Sequence, residues 1–573
     1  MPSHLRQSSN MSDVTRMTMQ SFKLVGVTVE QVTDSGAFPD AQVDVVIAGL
    51  GPVGLMAAVL LGQRGYRVLG LERQPTPYGR PRAVTFDHEI ARILSILGID
   101  SDNDPAIEYH DDHYYWMNAQ DDILLEVDWI SKANDGWRSR YWFSQPQLED
   151  RLRQIVGSLP SVTLMPGFEV CGVEQDDDSV SMQYREVTVE GGRSRPLENG
   201  RVGSVRARYA LGTDGANSFV RGALGLELTD MKFQYDWLVV DITPDEMPTY
   251  KTAHYQVCDP RRPTTVVPGG PGNRRWEFMA LPGEDLEELG RPETTWKLVE
   301  PFGLTPDNAV LERAVVWRFE AKYLETWRQG RVCLAGDAAH LMPPFAGEGM
   351  CAGLRDVVNL IWRLDLVLRG VAGDALLDQW GNERREQAKW YINFSADLGR
   401  VICVADDDEA AVRDARMIAE HAEQSKIGPV GSHAALLGEG TWVSADPLAG
   451  KASVQGRVAC RGRTGRFDDV VTRGWVLLTL DDHLHEQLDP EQLLVLESLD
   501  GVALIIGGEG TGADVIDVEG IYSAWMREHG IAHMLVRPDF YVAATAADED
   551  SLREVFDTVV AGMDLLSLSG ALG

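Results

Sequence analysis

The stretch VDVVIAGLGPVG, residues 43–54, decides the fold of this 573-residue chain. A short run of β-branched residues leads directly into a G-x-G-x-x-G pattern, which is typical of a buried strand that turns sharply into a helix. Glycines at such a turn let a pyrophosphate approach the backbone at the positive N-terminus of the helix. A second predicted strand ends at Glu72, where a carboxylate can bind ribose hydroxyls. The turn residues predicted to bind a dinucleotide are Gly49, Gly51, Pro52, Val53 and Gly54.

The composition is that of an ordinary globular protein, with 44% hydrophobic and 24% charged residues. The chain has 53 basic and 87 acidic residues, and its formal charge of −34 argues against nucleic acid or an anionic membrane as a partner. Its six cysteines form no C-x-x-C pair, so neither a zinc ribbon nor a dithiol redox centre is predicted. No apolar run reaches the roughly 20 residues of a membrane span, and no secretory signal is evident. We therefore expect free thiols, no metal and a cytoplasmic location.

Two further segments place an acid directly after a predicted strand. The first is GRVCLAGDAAHLMPPFAGEG, residues 330–349, in which Asp337 can hold a polyol hydroxyl or cap a helix. Its glycine-rich end can offer N–H groups to a ring carbonyl or an anion at the start of a helix, and His340 is interpreted as a packing or capping histidine. The second is LGTDGANSFVR, residues 211–221, for which both a helix cap and a functional turn stay open.

Read along the chain, the three motifs are residues 49–54, 211–221 and 330–349. Their order and spacing resemble those of the group A flavoprotein aromatic hydroxylases, which share the fold of para-hydroxybenzoate hydroxylase. The resemblance implies that the first motif holds the ADP part of FAD, the segment 211–221 lies near the FAD pyrophosphate, and the segment 330–349 contacts the ribityl chain and flavin ring. This sequence has Glu348 where the family usually has Gln and Cys351 where it often has Asn. Both departures fall beside the expected flavin ring.

The resemblance also implies further FAD contacts. Arg82 stands where the family places an arginine on the FAD phosphates, although a solvated surface arginine is the alternative. Gln145 is predicted to contact the flavin in preference to Arg140, because an uncharged amide can lie beside the ring without desolvating a charge. The remaining FAD contacts that the resemblance implies are Arg73, Asp214, Gly336, Asp337, Pro344, Gly347, Gly349 and Met350.

The segments 256–265 and 274–284 resemble the subgroup of 3-(3-hydroxyphenyl)propionate hydroxylases. This resemblance implies an enzyme that uses NADH, or else NADPH, and O₂ to hydroxylate a phenol in aromatic catabolism. The implied substrates are 3-(3-hydroxyphenyl)propionate and 3-hydroxycinnamate, each hydroxylated ortho to its phenol to give the 2,3-dihydroxy product. Two alternatives stay open: a polyketide or antibiotic tailoring hydroxylase of the same fold, and a non-catalytic FAD-fold binding protein.

The β-rich segment 233–280 is expected to cover the flavin face and to bind the substrate. An arginine suits a propionate carboxylate, and a histidine or tyrosine suits a phenol. If the segment around residue 255 is a strand, His254 and Gln256 share one face and Tyr255 points away. The predicted substrate-binding residues are Tyr255, Gln256, Arg262 and Trp276. The predicted catalytic residues are His254, Asp87 and His88, with a helix N-cap as the alternative for Asp87 and a partly exposed surface position as the alternative for His88.

The expected architecture is an α/β protein in which a Rossmann-like FAD-binding domain carries an inserted β-rich substrate domain. We expect a polar extension at residues 1–40, FAD-binding parts at 41–230 and 326–425, and the substrate domain at 231–325. The tail, residues 440–573, resembles the thioredoxin-like domain of phenol hydroxylase relatives, but without a C-x-x-C it cannot exchange dithiols. The family resemblance further implies a homodimer or a higher homo-oligomer.

Overall fold

The computed structural model describes residues 41–190, 193–248, 252–430, 435–471, 474–481 and 488–566, which contain both strands and helices. In chain order the strands are β1 (Ala41–Ala48), β2 (Val68–Glu72), β3 (Thr85–Asp87), β4 (Ile107–Glu108), β5 (Tyr114–Met117), β6 (Ile123–Val127), β7 (Arg140–Phe143), β8 (Val162–Pro166), β9 (Phe168–Gln175), β10 (Val180–Glu190), β11 (Arg193–Pro196), β12 (Val202–Gly212), β13 (Thr229–Pro244), β14 (Tyr255–Val257), β15 (Thr264–Pro268), β16 (Arg274–Met279), β17 (Ala309–Tyr323), β18 (Arg328–Gln329), β19 (Val332–Leu334), β20 (His340–Leu341), β21 (Arg457–Cys460), β22 (Arg463–Arg466), β23 (Val476–Thr479), β24 (Val502–Gly507), β25 (Val515–Asp517), β26 (His533–Val536) and β27 (Val542–Ala546). The helices are α1 (Pro52–Gln63), α2 (His88–Ser95), α3 (Gln145–Gly157), α4 (Phe219–Ala223), α5 (Leu286–Leu289), α6 (Pro292–Val299), α7 (Gly349–Leu368), α8 (Ala375–Ile402), α9 (Asp407–Gln424), α10 (Phe467–Val470), α11 (Pro490–Ser498), α12 (Ile521–Glu528) and α13 (Glu549–Ala561).

A nine-stranded sheet carries the glycine-rich turn. Its centre is parallel, because β1 lies between β2 and β12, and β12 also pairs in parallel with β19. The helix α1 is apolar nearly all round and packs between α3 and α7, so it is buried on every side. All three sequence motifs therefore follow the carboxyl ends of neighbouring parallel strands, where ligands bind in open α/β sheets.

A second sheet has eight strands in the order β20-β17-β13-β16-β15-β14-β5-β6. Its central strands lie within the segment predicted to bind the substrate. However, β5 and β6 come from residues 114–127, which the predicted boundary at residue 231 assigns to the FAD-binding domain. The pairing of β5 with β14 is parallel and long-range, so local sequence patterns carry no sign of it.

The helical stretch predicted after residue 347 forms α7, α8 and α9. The tail contains a seven-stranded sheet in the order β22-β21-β25-β24-β23-β26-β27, flanked by α11, α12 and α13. The predicted mixed α/β class is confirmed, whereas the thioredoxin-like nature of the tail stays a prediction. The described residues belong to one compact unit. All six cysteines are free thiols, and no helix in the described ranges is long and apolar enough to cross a bilayer.

Candidate functional site

The glycine-rich turn leaves no room for a side chain at Gly49 or Gly54. Gly49 adopts φ +94°, a left-handed conformation that favours glycine. A Cβ atom at Gly54 would lie only 2.0 Å from the carbonyl oxygen of Gly49. The hydroxyl of Thr213 donates to that same carbonyl at 2.8 Å, so the segment 211–221 stabilises the glycine-rich turn. The helix α1 then begins at Pro52 without a side-chain cap, which leaves its N-terminal N–H groups for an anion.

Glu72 lies at the end of β2, as predicted, and fixes the turn through its carboxylate. One carboxylate oxygen accepts from the backbone N–H of Leu50 at 2.8 Å, and the other accepts from the N–H of Gln74 at 2.8 Å. These bonds hold the carboxylate beside the glycine turn. Arg73 is exposed next to it.

Ser218 is the N-cap of α4, and Asp214 supports it, since its two carboxylate oxygens accept from the hydroxyl of Ser218 and the N–H of Val220. The segment 211–221 also contacts the segment 330–349, because Arg221 donates to the carbonyl of Ala338 at 3.0 Å. The contact of Asp214 with FAD stays a prediction.

The segment 330–349 presents Asp337 as an exposed side chain at the carboxyl end of β19. Gly336 and Gly347 both have positive φ values, of +60° and +68°. A Cβ at Gly336 would come within 3.1 Å of Val53, so the segment 330–349 lies close against the glycine-rich turn. His340 is a packing residue, as interpreted from the sequence: it bonds Asp356 at 2.7 Å and stacks on a tryptophan.

The loop between β2 and β3, residues 73–84, carries Arg82 and is called the Arg82 loop. It is held in place by Gln145. The side-chain oxygen of Gln145 accepts from the N–H groups of Arg82 and Ala83 at 3.0 and 2.7 Å, and its amide donates to Glu149 at 2.7 Å. The guanidinium of Arg82 is largely exposed and lies 3.6 Å from the position that a Cβ of Gly51 would occupy. Gln145 therefore places Arg82 at the predicted phosphate site, and a direct contact of Gln145 with the flavin stays a prediction.

A buried cluster of charges lies at the N-terminus of α7. Glu348 bonds Arg140 and Arg355, each at 3.1 Å, and Arg355 also binds Asp87. Burial and the neighbouring carboxylate of Asp87 raise the pKa of Glu348 to about 7, against the effect of the two arginines. Asp87 is also the N-cap of α2, which is the structural alternative considered for it. Sequence reasoning noted the unusual acid at residue 348 but gave no hint of its arginine partners.

The ligand atoms of Asp87, Glu348 and Cys351 lie within 4.8 Å of one another, which is close enough for a metal ion. Both carboxylates are already bound by arginines, so the cluster is built as a set of ion pairs. Two nitrogens of Arg140, Nε and Nη1, have no hydrogen-bond partner among the described residues. Nη1 lies 3.4 Å from the position that a Cβ of Gly347 would occupy, so this guanidinium lies beside a residue predicted to contact FAD.

His88 is paired rather than solvated. Its Nδ1 atom lies 2.8 Å from a carboxylate oxygen of the buried Asp135. Burial opposes the charged imidazole, but the carboxylate outweighs it and raises the pKa of His88 to about 9. The partly exposed position considered for His88 is present, with 15% of its side chain exposed, and its catalytic role stays a prediction.

The ion pair of His88 predicts a pH-dependent contribution to stability. Because the pKa in the folded state is raised, the contribution is fully present below the ordinary pKa of 6.5 and is lost as the pH rises through about 9. In thermal unfolding measured from pH 6 to 10, the difference between wild type and His88→Asn should therefore shrink towards the alkaline end. The variant His529→Asn, at an exposed position, serves as the control. A difference that stays constant to pH 10 would contradict the ion pair.

The strand alternation predicted around residue 255 is present, because His254 and Gln256 are buried and Tyr255 is half-buried. His254 lies among aromatic rings, 4.9 Å from Trp129 and 5.8 Å from Tyr114 between ring centroids. Burial lowers the pKa of His254 to about 3, so the ring is neutral near pH 7. Its Nδ1 atom has no hydrogen-bond partner among the described residues and is available to a ligand.

Two predicted substrate residues have other partners. Arg262 forms a bidentate ion pair with Glu284, at 2.8 and 2.9 Å, which argues against its use for a substrate carboxylate. Trp276 is fully buried and packs against Phe302 on the face of β16 that turns away from the FAD-binding loops. We therefore assign a structural role in this β-rich segment to both residues. The ion pair spans 22 positions, and strand patterns carry no sign of such pairing.

Sequence reasoning missed Glu277, which follows Trp276 and therefore points to the opposite face of β16. On that face Arg275 donates to the carbonyls of Pro81 and Arg82 at 2.8 and 2.7 Å. The face of the sheet that carries Glu277 is thus docked on the loop predicted to bind the FAD phosphates. Alternation from the apolar Trp276 and Phe278 could have revealed this residue.

Comparison with known proteins decides the family. A family model described as FAD binding domain matches residues 42–395, and a model described as HcaD C-terminal domain matches residues 450–561. The chain belongs to the FAD-binding-domain family. This flavoprotein is 35% identical over 528 residues to the probable NADH-specific resorcinol 4-hydroxylase of Rhodococcus jostii (strain RHA1), covering 91% of this chain and 95% of the relative. It is 32% identical over 537 residues to the 3-(3-hydroxy-phenyl)propionate/3-hydroxycinnamic acid hydroxylase of Escherichia coli (strain K12), covering 89% and 94%.

Solved structures of flavin enzymes share the fold of this flavoprotein. The flavin-dependent monooxygenase PieE, in complex with FAD and substrate, aligns with a TM-score of 0.74 at 21% identity, covering 92% of this chain and 100% of that one. Aklavinone-11 hydroxylase with FAD and aklavinone aligns with a TM-score of 0.69 at 23% identity, covering 91% and 100%. The predictions of a flavin-dependent aromatic monooxygenase and of FAD as its cofactor are confirmed, and the alternative of a non-catalytic binding protein is set aside.

Proposed function

We propose that this flavoprotein uses NADH and O₂ to hydroxylate a meta-substituted phenol at a carbon ortho to its hydroxyl. The named relatives support this class, since resorcinol and 3-(3-hydroxyphenyl)propionate are both meta-substituted phenols. The observation that carries the proposal is the buried polar face of the eight-stranded sheet. This face is docked on the Arg82 loop through Arg275 and presents hydrogen-bonding side chains among aromatic rings.

The residues at the three motifs fit FAD. The crowded glycines Gly49 and Gly54, a helix start without a side-chain cap and the exposed Asp337 suit a pyrophosphate and a polyol chain. When bound, FAD supplies the redox chemistry, accepting a hydride from NADH and activating O₂ for transfer of one oxygen atom to an electron-rich ring. The chain itself binds, orients and excludes water.

Several side chains have distinct tasks in this proposal. Arg82 would neutralise the FAD phosphates, and Arg140 would direct its unpartnered Nε and Nη1 donors towards the flavin ring. The stacked rings of Tyr114 and Trp129, with centroids 4.1 Å apart, would keep water out of the substrate site. His254, neutral and with a free Nδ1, would hydrogen-bond the phenol.

The finer predictions from the sequence stay proposals. These are 3-(3-hydroxyphenyl)propionate or 3-hydroxycinnamate as substrate, a homodimer or higher oligomer, a thioredoxin-like tail at residues 440–573 and a cytoplasmic location. The tailoring alternative stays open as well, since the structural neighbours share the fold alone.

The test is a coupled assay of the purified protein with NADH in air, using resorcinol and 3-(3-hydroxyphenyl)propionate in parallel. We expect hydroxylated product in a yield near one per NADH for at least one of the two phenols, with little H₂O₂. NADH oxidation that yields mostly H₂O₂ with both phenols would point to another substrate class, such as that of a tailoring enzyme. The absence of oxidation with NADH and NADPH alike, in a protein loaded with FAD, would overturn the proposal.

A further inference from the structure

Glu277 occupies the middle of the sheet face that is docked on the FAD-binding loops. In the register of the sheet it lies directly across from Thr265 on one side and Val239 on the other. It is buried, with 6% of its surface exposed. Glu277 therefore separates the apolar Val239 of β13 from the polar residues of β14 and β15 on this face.

The carboxylate of Glu277 has no hydrogen-bond donor among the described residues. Its nearest cation is Arg275, whose Nη1 lies 3.9 Å away. That guanidinium is already used, because it bonds Asp241 at 2.7 Å and the two carbonyls of the Arg82 loop. Burial and the neighbouring carboxylate of Asp241 raise the pKa of Glu277, against the effect of Arg275. A largely buried carboxyl group without a protein donor is costly unless water or a ligand donates to it, and a ligand hydroxyl at this place would do so.

A polar row continues from Glu277 across the sheet. Thr265 donates to the side-chain oxygen of Gln256 at 2.7 Å, and the amide of Gln256 donates to the hydroxyl oxygen of Tyr114. The hydroxyl proton of Tyr114 therefore stays available for another acceptor. The face offers an acceptor at Glu277 and a donor at Tyr114, which together match a ring that carries hydroxyl groups.

The charges on this face make it unfavourable for binding a substrate carboxylate. Arg275 and Arg313 both bind Asp241, at 2.7 Å each, and with Glu277 they form a group of two cations and two carboxylates. Arg262 is held by Glu284. An arylpropionate placed here would bring its negative charge towards Glu277, whereas a second ring hydroxyl would donate to it.

We propose that Glu277 accepts a hydrogen bond from a ring hydroxyl of the substrate and thereby selects neutral dihydric phenols over phenols that carry a carboxylate. The proposal rests on the proposed function and names the substrate class of that same site. A carboxyl group accepts through an unprotonated oxygen in either protonation state, so the interaction persists across the neutral pH range.

The test is a binding titration of the FAD-loaded protein without NADH, followed by the change in flavin absorbance. Resorcinol and 3-(3-hydroxyphenyl)propionate are the probes, and the proteins are wild type, Glu277→Leu and Glu277→Gln. Glu277→Leu should weaken the binding of resorcinol by about ten- to hundredfold, with the binding of the propionate unchanged or tighter. Glu277→Gln keeps an acceptor oxygen and should restore part of the affinity for resorcinol. Glu320→Gln, a partly exposed position on β17, is the control.

The two proposals fail in different ways. A wild-type protein that binds the propionate more tightly than resorcinol would overturn the role of Glu277 while leaving the hydroxylase intact. Equal loss of affinity for both probes in Glu277→Leu, with FAD content and melting temperature unchanged, would also overturn it, as would the failure of wild type to bind either probe. The proposed function instead fails in the NADH assay, which does not enter this titration.

Discussion

Replacing Gly54 with alanine is expected to yield a protein that purifies with little FAD and little yellow colour. The added Cβ would lie 2.0 Å from the carbonyl oxygen of Gly49 and 2.8 Å from the hydroxyl of Thr213. Because the first of these atoms is backbone, the turn itself must move. Overpacking of this kind costs about 1–3 kcal/mol, which corresponds to a roughly ten- to hundredfold weaker affinity for FAD. The measurement is the FAD dissociation constant of the deflavinated protein, by fluorescence quenching.

A matched control uses another helical glycine. Gly157 ends α3, and a Cβ at that position meets no atom within 4 Å, so Gly157→Ala should bind FAD as the wild type does. The two variants carry the same chemical change and differ in the room available. Wild-type affinity in Gly54→Ala would show that the turn does not bind the cofactor as proposed.

Replacing Glu383 with alanine is expected to destabilise the protein strongly and to loosen the C-terminal domain. Glu383 is fully buried on α8 and bonds Arg363 of α7 at 2.7 Å and Arg537 of the tail at 2.8 Å. Its carboxylate also accepts from the N–H of Thr441 at 2.6 Å. Removing it leaves buried arginines with less compensation, which typically costs about 3–5 kcal/mol. Thermal unfolding and limited proteolysis between the helices and the tail measure the effect.

The same residue predicts a dependence on acid. Burial alone would raise the pKa of Glu383, but Arg363 and Arg537 outweigh it and lower the pKa to about 2. The stabilisation is therefore present above the ordinary pKa of 4.5 and is lost as the pH falls towards 2. Glu386→Ala is the control, since that residue lies on the same helix and is paired at the surface with Lys389. A melting temperature equal to that of Glu386→Ala would contradict this account.

The local sequence determined the dinucleotide-binding turn and the order of the motifs. Glycine spacing, β-branched runs and an acid at a strand end act over a few residues, where backbone sterics decide the conformation. The strand alternation of His254 and Gln256 followed for the same reason, as did the helices after residue 347. Residues that depend on local geometry were therefore predictable from the chain alone.

The tertiary structure decided how charges are paired. Arg262 was predicted to bind a substrate carboxylate, yet it is held by Glu284, and Glu348 gained the partners Arg140 and Arg355 from distant elements. Glu277 became a candidate only when its face of the sheet was found docked on the Arg82 loop. Such pairing depends on which distant side chains meet after the chain has folded, and no spacing in the sequence records it, because ion pairs form through space and not along the chain.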